Sequence, residues 1–325
     1  MRATPLLFRR SLCCGLVWAA LFSSHAMAQS YPAKPVKFVV PFPAGSATDS
    51  VGRIVAQAMS EAWGQPVMID NKSGANGILG AEAVKAAPAD GYTFLVTTST
   101  TQAANVHLYR KLSYDPIKDF TPIGKIGETG FILMVSQDFP AKNMKEFIGY
   151  VKANPNKLAY GHGSSGSLVS AAMLTELAGL QTMSVPYKGI PPALTDLMSG
   201  QLQFAFADVG NAVSQMNGGR LRGLGVTTKN RAGKAPQVPP IGETVKDYNV
   251  SAWFGLVAPA GLAPEVQKKA SATLLAVLAK PEVREKIQAA GVDLDVEDAA
   301  TLGKTIDTEI KKWAQWVKTA GITPE

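Results

Sequence analysis

The sequence predicts an α/β protein of two domains, each a mainly parallel sheet flanked by helices. Three observations predict it. Strand and helix patterns alternate as βαβαβ from Val36 to Thr97, the order that builds a parallel sheet with helices on its faces. The same strand, small-residue loop and helix design occurs twice, at 36–63 and again at 157–178. An apolar run at Trp253–Ala258 then reads as a strand returning toward the first unit, with two helical patterns after it.

Taken in order, Val36–Val40 is a strand and Val51–Trp63 a helix with Val51, Ile54, Val55, Ala58, Met59 and Ala62 on one face. Between them lies Pro41-Phe42-Pro43-Ala44-Gly45-Ser46-Ala47-Thr48-Asp49-Ser50, where Ser46, Thr48 and Asp49 are all N-cap residue types. Pro66–Asp70 is a second strand, and the turn-rich Asn71–Gly77 feeds a helix over Ile78–Ala87. Tyr92–Thr97 is a third strand, and the polar run Thr97–Thr101 follows it at once. All three loops follow strands of one parallel sheet, so they gather at its carboxyl edge, where ligands of such sheets sit.

Phe131–Ser136 reads as a strand, Ala141–Ala153 as a helix and Lys157–Tyr160 as a strand. Gly161–Ser167 is a second Gly/Ser loop, leading into a helix that begins near Leu168. Strands at Met183–Pro186, Leu202–Ala207 and Leu221–Thr227 and a short helix at Pro192–Ser199 complete the second unit. Pro264–Leu278 and Leu302–Thr319 are closing helices, with Trp313 a core anchor. Crossings fall near Val135 and Val250, which makes residues 29–135 plus 251–325 the first lobe and 136–250 the second. The last stretch then packs on the first lobe, and the cleft faces one small-residue loop from each side.

Residues 1–28 carry a different pattern. Arg2, Arg9 and Arg10 precede an 11-residue apolar run, Leu12–Phe22, and Ala26-Met27-Ala28 has the small residues of a cleavage site. This is a secretory signal peptide, too short to span a bilayer. Cys13 and Cys14 lie inside it without a Leu-x-Gly pattern, so no lipid anchor is read, and the remaining 297 of 325 residues hold no cysteine. The exported chain must be held by its own core. The formal charge of +7 falls to +4 once the three leader arginines are removed, and the basic residues are scattered. Nucleic-acid binding has little support. No later run reaches the ~20 apolar residues of a membrane span.

A catalytic inventory comes up short. Past the leader the histidines are His107 and His162, and there is no HExxH, no paired metal spacing and no G-x-S-x-G elbow. His162 stands beside Ser164 and Ser165, so a serine hydrolase is an alternative, although proximity in sequence does not make a hydrogen bond. Gly74-Ala75-Asn76-Gly77-Ile78-Leu79-Gly80 lacks the tight pair of a dinucleotide loop. What remains is a polar, uncharged cleft with backbone N–H groups at two helix starts, which suits a carboxylate. Asp49 and Asp208 keep two readings: they cap a helix or tie down a loop, or they accept from a ligand amine, hydroxyl or ordered water.

Val39-Val40-Pro41-Phe42-Pro43-Ala44-Gly45 with Thr48-Asp49 resembles the first binding loop of the Bug family, the periplasmic solute receptors of tripartite tricarboxylate transporters. Further matches run in family order: Gly64-Gln65-Pro66-Val67, Ala87–Tyr92, Leu112–Pro116, Asp119-Phe120, Val185–Gly189, Asp196–Gly200 and Ala258–Gly261. The resemblance covers essentially the whole chain after the leader. It implies a type II periplasmic-binding-protein fold, a two-lobed Venus flytrap that closes on a small organic carboxylate and delivers it to inner-membrane transporter subunits. It implies no enzyme activity, no cofactor and no metal; a monomer is expected. Carried over by position, the first-lobe ligand contacts are Phe42, Ala44, Gly45, Ser46 and Asp49. Those of the second lobe are Ser164, Ser165, Gly166 and Ser167, with Tyr187, Lys188, Gly189 and Asp208 nearby. Two departures stand out: Ser46 where the family often has a second Gly, and Leu168-Val169-Ser170 where it usually has a histidine. A receptor that signals to a sensor kinase would share all these features.

Overall fold

The apolar run Val36–Val40 forms β1, an inner strand of the first sheet. The computed structural model describes residues 31–325, so the leader expected at 1–28 lies outside the described residues. Residues 31–33 include a cis Tyr31–Pro32 bond, and residues 34–325 form one compact unit that holds two sheets.

In the first sheet β1 pairs in parallel with β2 (Val67–Asn71) and β3 (Thr93–Thr98). Beyond β3 the pairing turns antiparallel, through β10 (Ala252–Pro259) to β4 (Phe120–Thr129) and the edge strand β11 (Asp293–Asp298). The second sheet repeats the plan. β6 (Ala159–His162) lies parallel to β7 (Met183–Pro186) and β8 (Phe204–Asp208), and β5 (Phe131–Ser136) joins antiparallel between β8 and β9 (Leu221–Val226). Both sheets are therefore mixed. The parallel halves are those whose strand–helix alternation shows in the sequence.

Each small-residue loop ends in a capped helix. Helix α1 (Ala47–Trp63) takes its N-cap from Ser46, whose Oγ accepts from the Asp49 amide at 3.2 Å. Thr48 and Asp49 lie inside its first turn. Val51, Val55 and Met59 of α1 are fully buried against Phe94 and Val96 of the sheet and against Leu274 and Val277 of α8 (Pro264–Leu278). In the second lobe α4 (Met144–Ala153) buries Phe147 against Phe204, ring edge to face at 5.2 Å. The core helix expected from Leu168 begins earlier, at Ser165, and runs to Ala178 as α5.

Two boundaries differ from expectation. The first crossing is at Gly130, between β4 and β5, because Phe131–Val135 is buried as a middle strand of the second sheet. The closing helix also does not pack on the first lobe alone. Along α10 (Ala299–Thr319), Leu302 and Ile306 pack with Val39, Leu95 and Trp253 of the first sheet. About two to three turns past Ile306, Trp313 and Val317 pack among Phe131, Phe147 and Phe204 of the second. The helix is long enough to bridge both cores, since 21 residues span about 30 Å at 1.5 Å per residue.

Trp313 is fully buried, and its indole N–H has no partner among the described residues. Its contribution is thus packing. Trp313→Ala is expected to lower stability by about 3–5 kcal/mol. Trp313→Phe should lose less than half of that, since no hydrogen bond goes with the indole. Guanidinium unfolding of both variants checks the pair; an equal loss would show that the indole edge carries the energy.

Candidate functional site

The cleft between the sheets holds about 460 Å³ of unfilled space, its open mouth included. Its walls are the loop after β1, the turn after β3, and the loops after β6, β7 and β8. The floor is made where the chain crosses between lobes, by Thr129, Phe131, Ala252 and Phe254.

The loop after β1 is held from beneath by Asp49. Its Oδ2 accepts from the Gly45 amide at 3.0 Å and Arg53 Nε at 2.9 Å, and its Oδ1 accepts from Asn71 Nδ2 at 2.9 Å. Asn71 Nδ2 also donates to the Phe42 carbonyl at 3.1 Å. Burial alone would raise the Asp49 pKa, but the bonds from Arg53, Asn71 and Gly45 hold it below the ordinary value. Asp49 therefore ties down the loop and does not line the cleft. With Ser46 Oγ taken by the Asp49 amide, the first two amides of α1, on Ala47 and Thr48, meet no acceptor among the described residues.

The second lobe mirrors this start. Ser164 caps α5 and forms a capping box with Ser167. Ser167 Oγ accepts from the Gly163 and Ser164 amides, both at 3.1 Å. The first amides of α5, on Ser165 and Gly166, again meet no acceptor among the described residues. Two helix starts with unpaired N–H groups thus come from opposite lobes, which is the pattern of an anion site.

The lobes touch around the cleft, at backbone distance. A Cβ on Gly189 would lie 2.7 Å from Pro43 Cδ, and one on Gly163 would lie 2.1 Å from the Gly189 carbonyl carbon. Only glycine allows that three-layer approach. A polar strap lies beside it. The left-handed Asn76, at φ 51°, donates through Nδ2 to Ser165 Oγ at 2.6 Å and Asn105 Oδ1 at 2.9 Å. Asn105 Nδ2 donates in turn to the Asn76 carbonyl and to Tyr114 Oη, which donates to the Thr101 carbonyl at 2.7 Å.

Of the expected contacts, Phe42, Ser46, Ser164, Gly189 and Asp208 line the cleft. Ala44 and Gly45 are exposed and are not among the residues that line it. Ser165 belongs to the strap, Ser167 to the capping box, and Gly166 lies against the Phe131 ring. Tyr187 and Lys188 line a neighbouring cavity of about 340 Å³, with His162 and Tyr109. Tyr187 Oη donates to Asp196 Oδ2 at 2.6 Å, and its pKa is raised to about 12, by burial and then by that carboxylate. Burial lowers the His162 pKa to about 4, leaving the imidazole neutral, and its ring bonds neither Ser164 nor Ser165.

Sequence reasoning did not name Thr98 and Thr100 as wall residues, although the polar run after β3 was their signal. Thr129, Phe131, Ala252 and Phe254 gave no signal, since they are ordinary strand residues until the crossings bring them together. Asp208, at the end of β8, caps α7 (Val209–Asn217) and is, among the described residues, the one ionisable group in the cleft wall.

The family model described as "Tripartite tricarboxylate transporter family receptor" matches residues 51–322. Protein BugT of Bordetella pertussis is 30% identical over 300 residues, covering 90% of this chain and 91% of its own. Among solved structures, Rpa4515 of R. palustris with adipate is 32% identical with a TM-score of 0.88, covering 91% of this chain and all of its own. MatC of Rhodopseudomonas palustris with bound malate is 31% identical with a TM-score of 0.82, covering 88% of this chain and all of its own. With a cleft bordered by two helix starts and these likenesses along most of its length, the chain belongs to the tripartite tricarboxylate transporter receptor family.

Proposed function

We propose that this protein is a periplasmic receptor that captures a small organic carboxylate between its lobes and presents it to inner-membrane transporter subunits, without catalysing a reaction on it. The observation that carries the reading is the pair of unpaired helix starts, α1 and α5, brought to one cleft from opposite lobes. Each helix start favours an anion by about 0.3–1 kcal/mol, and more where water is excluded. The adipate and malate held by two similar receptors fit a carboxylate as the solute class. The absence of a Ser–His bond at Ser164 or Ser165 supports a binding role over hydrolysis.

In this reading the solute carboxylate takes the free amides of Ala47, Thr48, Ser165 and Gly166, directly or through water. The hydroxyls of Ser46, Thr98, Thr100 and Ser164 add to them, and Phe42 and Phe131 pack on the carbon chain. The lobes divide at Gly130 and near Val250, with α10 as a shared brace. Closure works as a two-state element biased by the ligand, which makes contacts to both lobes only when they are shut.

A thermal-shift screen of mono- and dicarboxylates against the protein expressed from its full-length chain tests the receptor role. A ligand at 100-fold excess over its Kd is expected to add about 2.7 kcal/mol of stability. A broad panel without one stabilising acid would overturn the proposal. Closure has its own test in Gly189→Ala, whose methyl meets Pro43 of the facing lobe. It should leave the unliganded melting temperature within a few degrees yet weaken binding by about tenfold or more. Unchanged affinity by calorimetry would mean that the bound state does not need this approach.

A further inference from the structure

Asp208 stands out in a cleft built for an anion. It is 6% exposed, it lines the cavity, and among the described residues no lysine, arginine or histidine shares the wall with it. Besides its own backbone amide, its partners among the described residues belong to Asn211. Oδ1 accepts from the Asn211 amide at 3.1 Å and from Asn211 Nδ2 at 3.1 Å, and Oδ2 accepts from that same Nδ2 at 3.0 Å. A carboxylate offers about four acceptor positions, so Oδ2 keeps one unfilled. Burial pushes its pKa up, opposed by the Asn211 bonds and by its own backbone amide.

The cleft is therefore polarised. At one side are the unpaired amides of α1 and α5; at another is a buried acceptor with no cation to balance it. A simple carboxylate satisfies the first and leaves the second dry and unpaired. A solute that also carries a hydrogen-bond donor satisfies both. We propose that Asp208 is a specificity-determining residue that accepts a hydrogen bond from a hydroxyl or ammonium group on the solute, so that the preferred ligands are hydroxy- or amino-substituted carboxylates. This deepens the carboxylate-receptor reading and rests on it. A site built to bond a donor rejects the analogue that lacks it, because its buried polar group is then left without a partner.

The experiment uses matched acids that differ only in the donor: succinate against malate and aspartate, glutarate against 2-hydroxyglutarate and glutamate, propionate against lactate and alanine. Affinities are measured by calorimetry for the wild type and for Asp208→Asn, in which asparagine still caps α7. The wild type should prefer a substituted member by about tenfold or more in at least one pair. Asp208→Asn should cut that preference to about threefold or less and tighten binding of the unsubstituted acid. Equal wild-type affinity within every pair that binds, with or without proton uptake, would overturn the inference while leaving the receptor role intact, and so would a preference that Asp208→Asn retains. If no acid of any pair binds, the carboxylate reading itself fails and takes this inference with it. The wild-type comparison alone decides the matter should the variant not fold.

Discussion

The Thr227 hydroxyl holds together the two strands of chain that join the lobes. Fully buried at the end of β9, its Oγ1 accepts from the Phe131 amide at 2.8 Å and donates to the Val250 carbonyl at 2.7 Å. Its backbone makes the matching pair, donating to the Phe131 carbonyl at 2.8 Å and accepting from the Val250 amide at 3.0 Å. One residue thus fixes the outward crossing and the return crossing to each other. The floor of the cleft depends on that clasp, because Thr129, Phe131, Ala252 and Phe254 come from those two segments. A buried hydroxyl with both roles filled is cheap to keep and costly to break, since loss of either partner strands a polar group in the core.

Above the clasp, most polar groups of the cleft bond to the protein itself, and the free ones mark where a solute belongs. Asp49, Asn71 and Arg53 spend themselves on the first loop, Ser164 and Ser167 on the second. Asn76, Asn105 and Ser165 spend themselves on each other. This expenditure is what leaves the helix-start amides rigid and unpaired. Donors fixed in place need little reorganisation when an anion arrives, so a cleft without a wall cation among the described residues can still favour one.

Much of the fold was legible, for reasons that separate cleanly by element. β1, β3 and β8 are apolar runs bounded by turn residues, and α1 shows its buried face at helical spacing. β4 was hidden because Pro122, Gly124 and Gly127 interrupt its apolar pattern, and they are tolerated only because β10 and β11 pair with it across two bulged registers. β11 was hidden because Asp293–Asp298 is an acidic edge strand, whose charge discourages further pairing. With β4 unseen, the crossing was placed at Val135 and not at Gly130. The candidate site was legible at the level of loops and less so at the level of side chains. Gly45, Ser46 and Asp49 do belong to one loop, but only the fold brings Arg53 and Asn71 to Asp49 and so ties that carboxylate into the loop. Asp208 faces the cleft because α7 starts there, in a strand end that carries no further signal of its own.

Ser46 shows how a single loop can serve the fold and the site with one atom. As an acceptor its Oγ caps α1, and that bond fixes the helix start whose next two amides stay open. The hydroxyl hydrogen has no such duty, and the residue lines the cleft. A glycine at this position would keep the turn at a cost of a few tenths of a kcal/mol in capping, and would remove a donor from the wall. The same division of labour runs through the second lobe, where the Ser164 cap and the Asp208 cap both border the cavity. Three helix caps meet in one space, two with hydroxyls and one with a carboxylate. The hydroxyls can donate or accept, whereas the ionised carboxylate can only accept. On the proposed reading, a solute's own donors and acceptors are arranged against that fixed asymmetry, so the caps that hold the helices in place also present the donors and acceptors of the cleft wall.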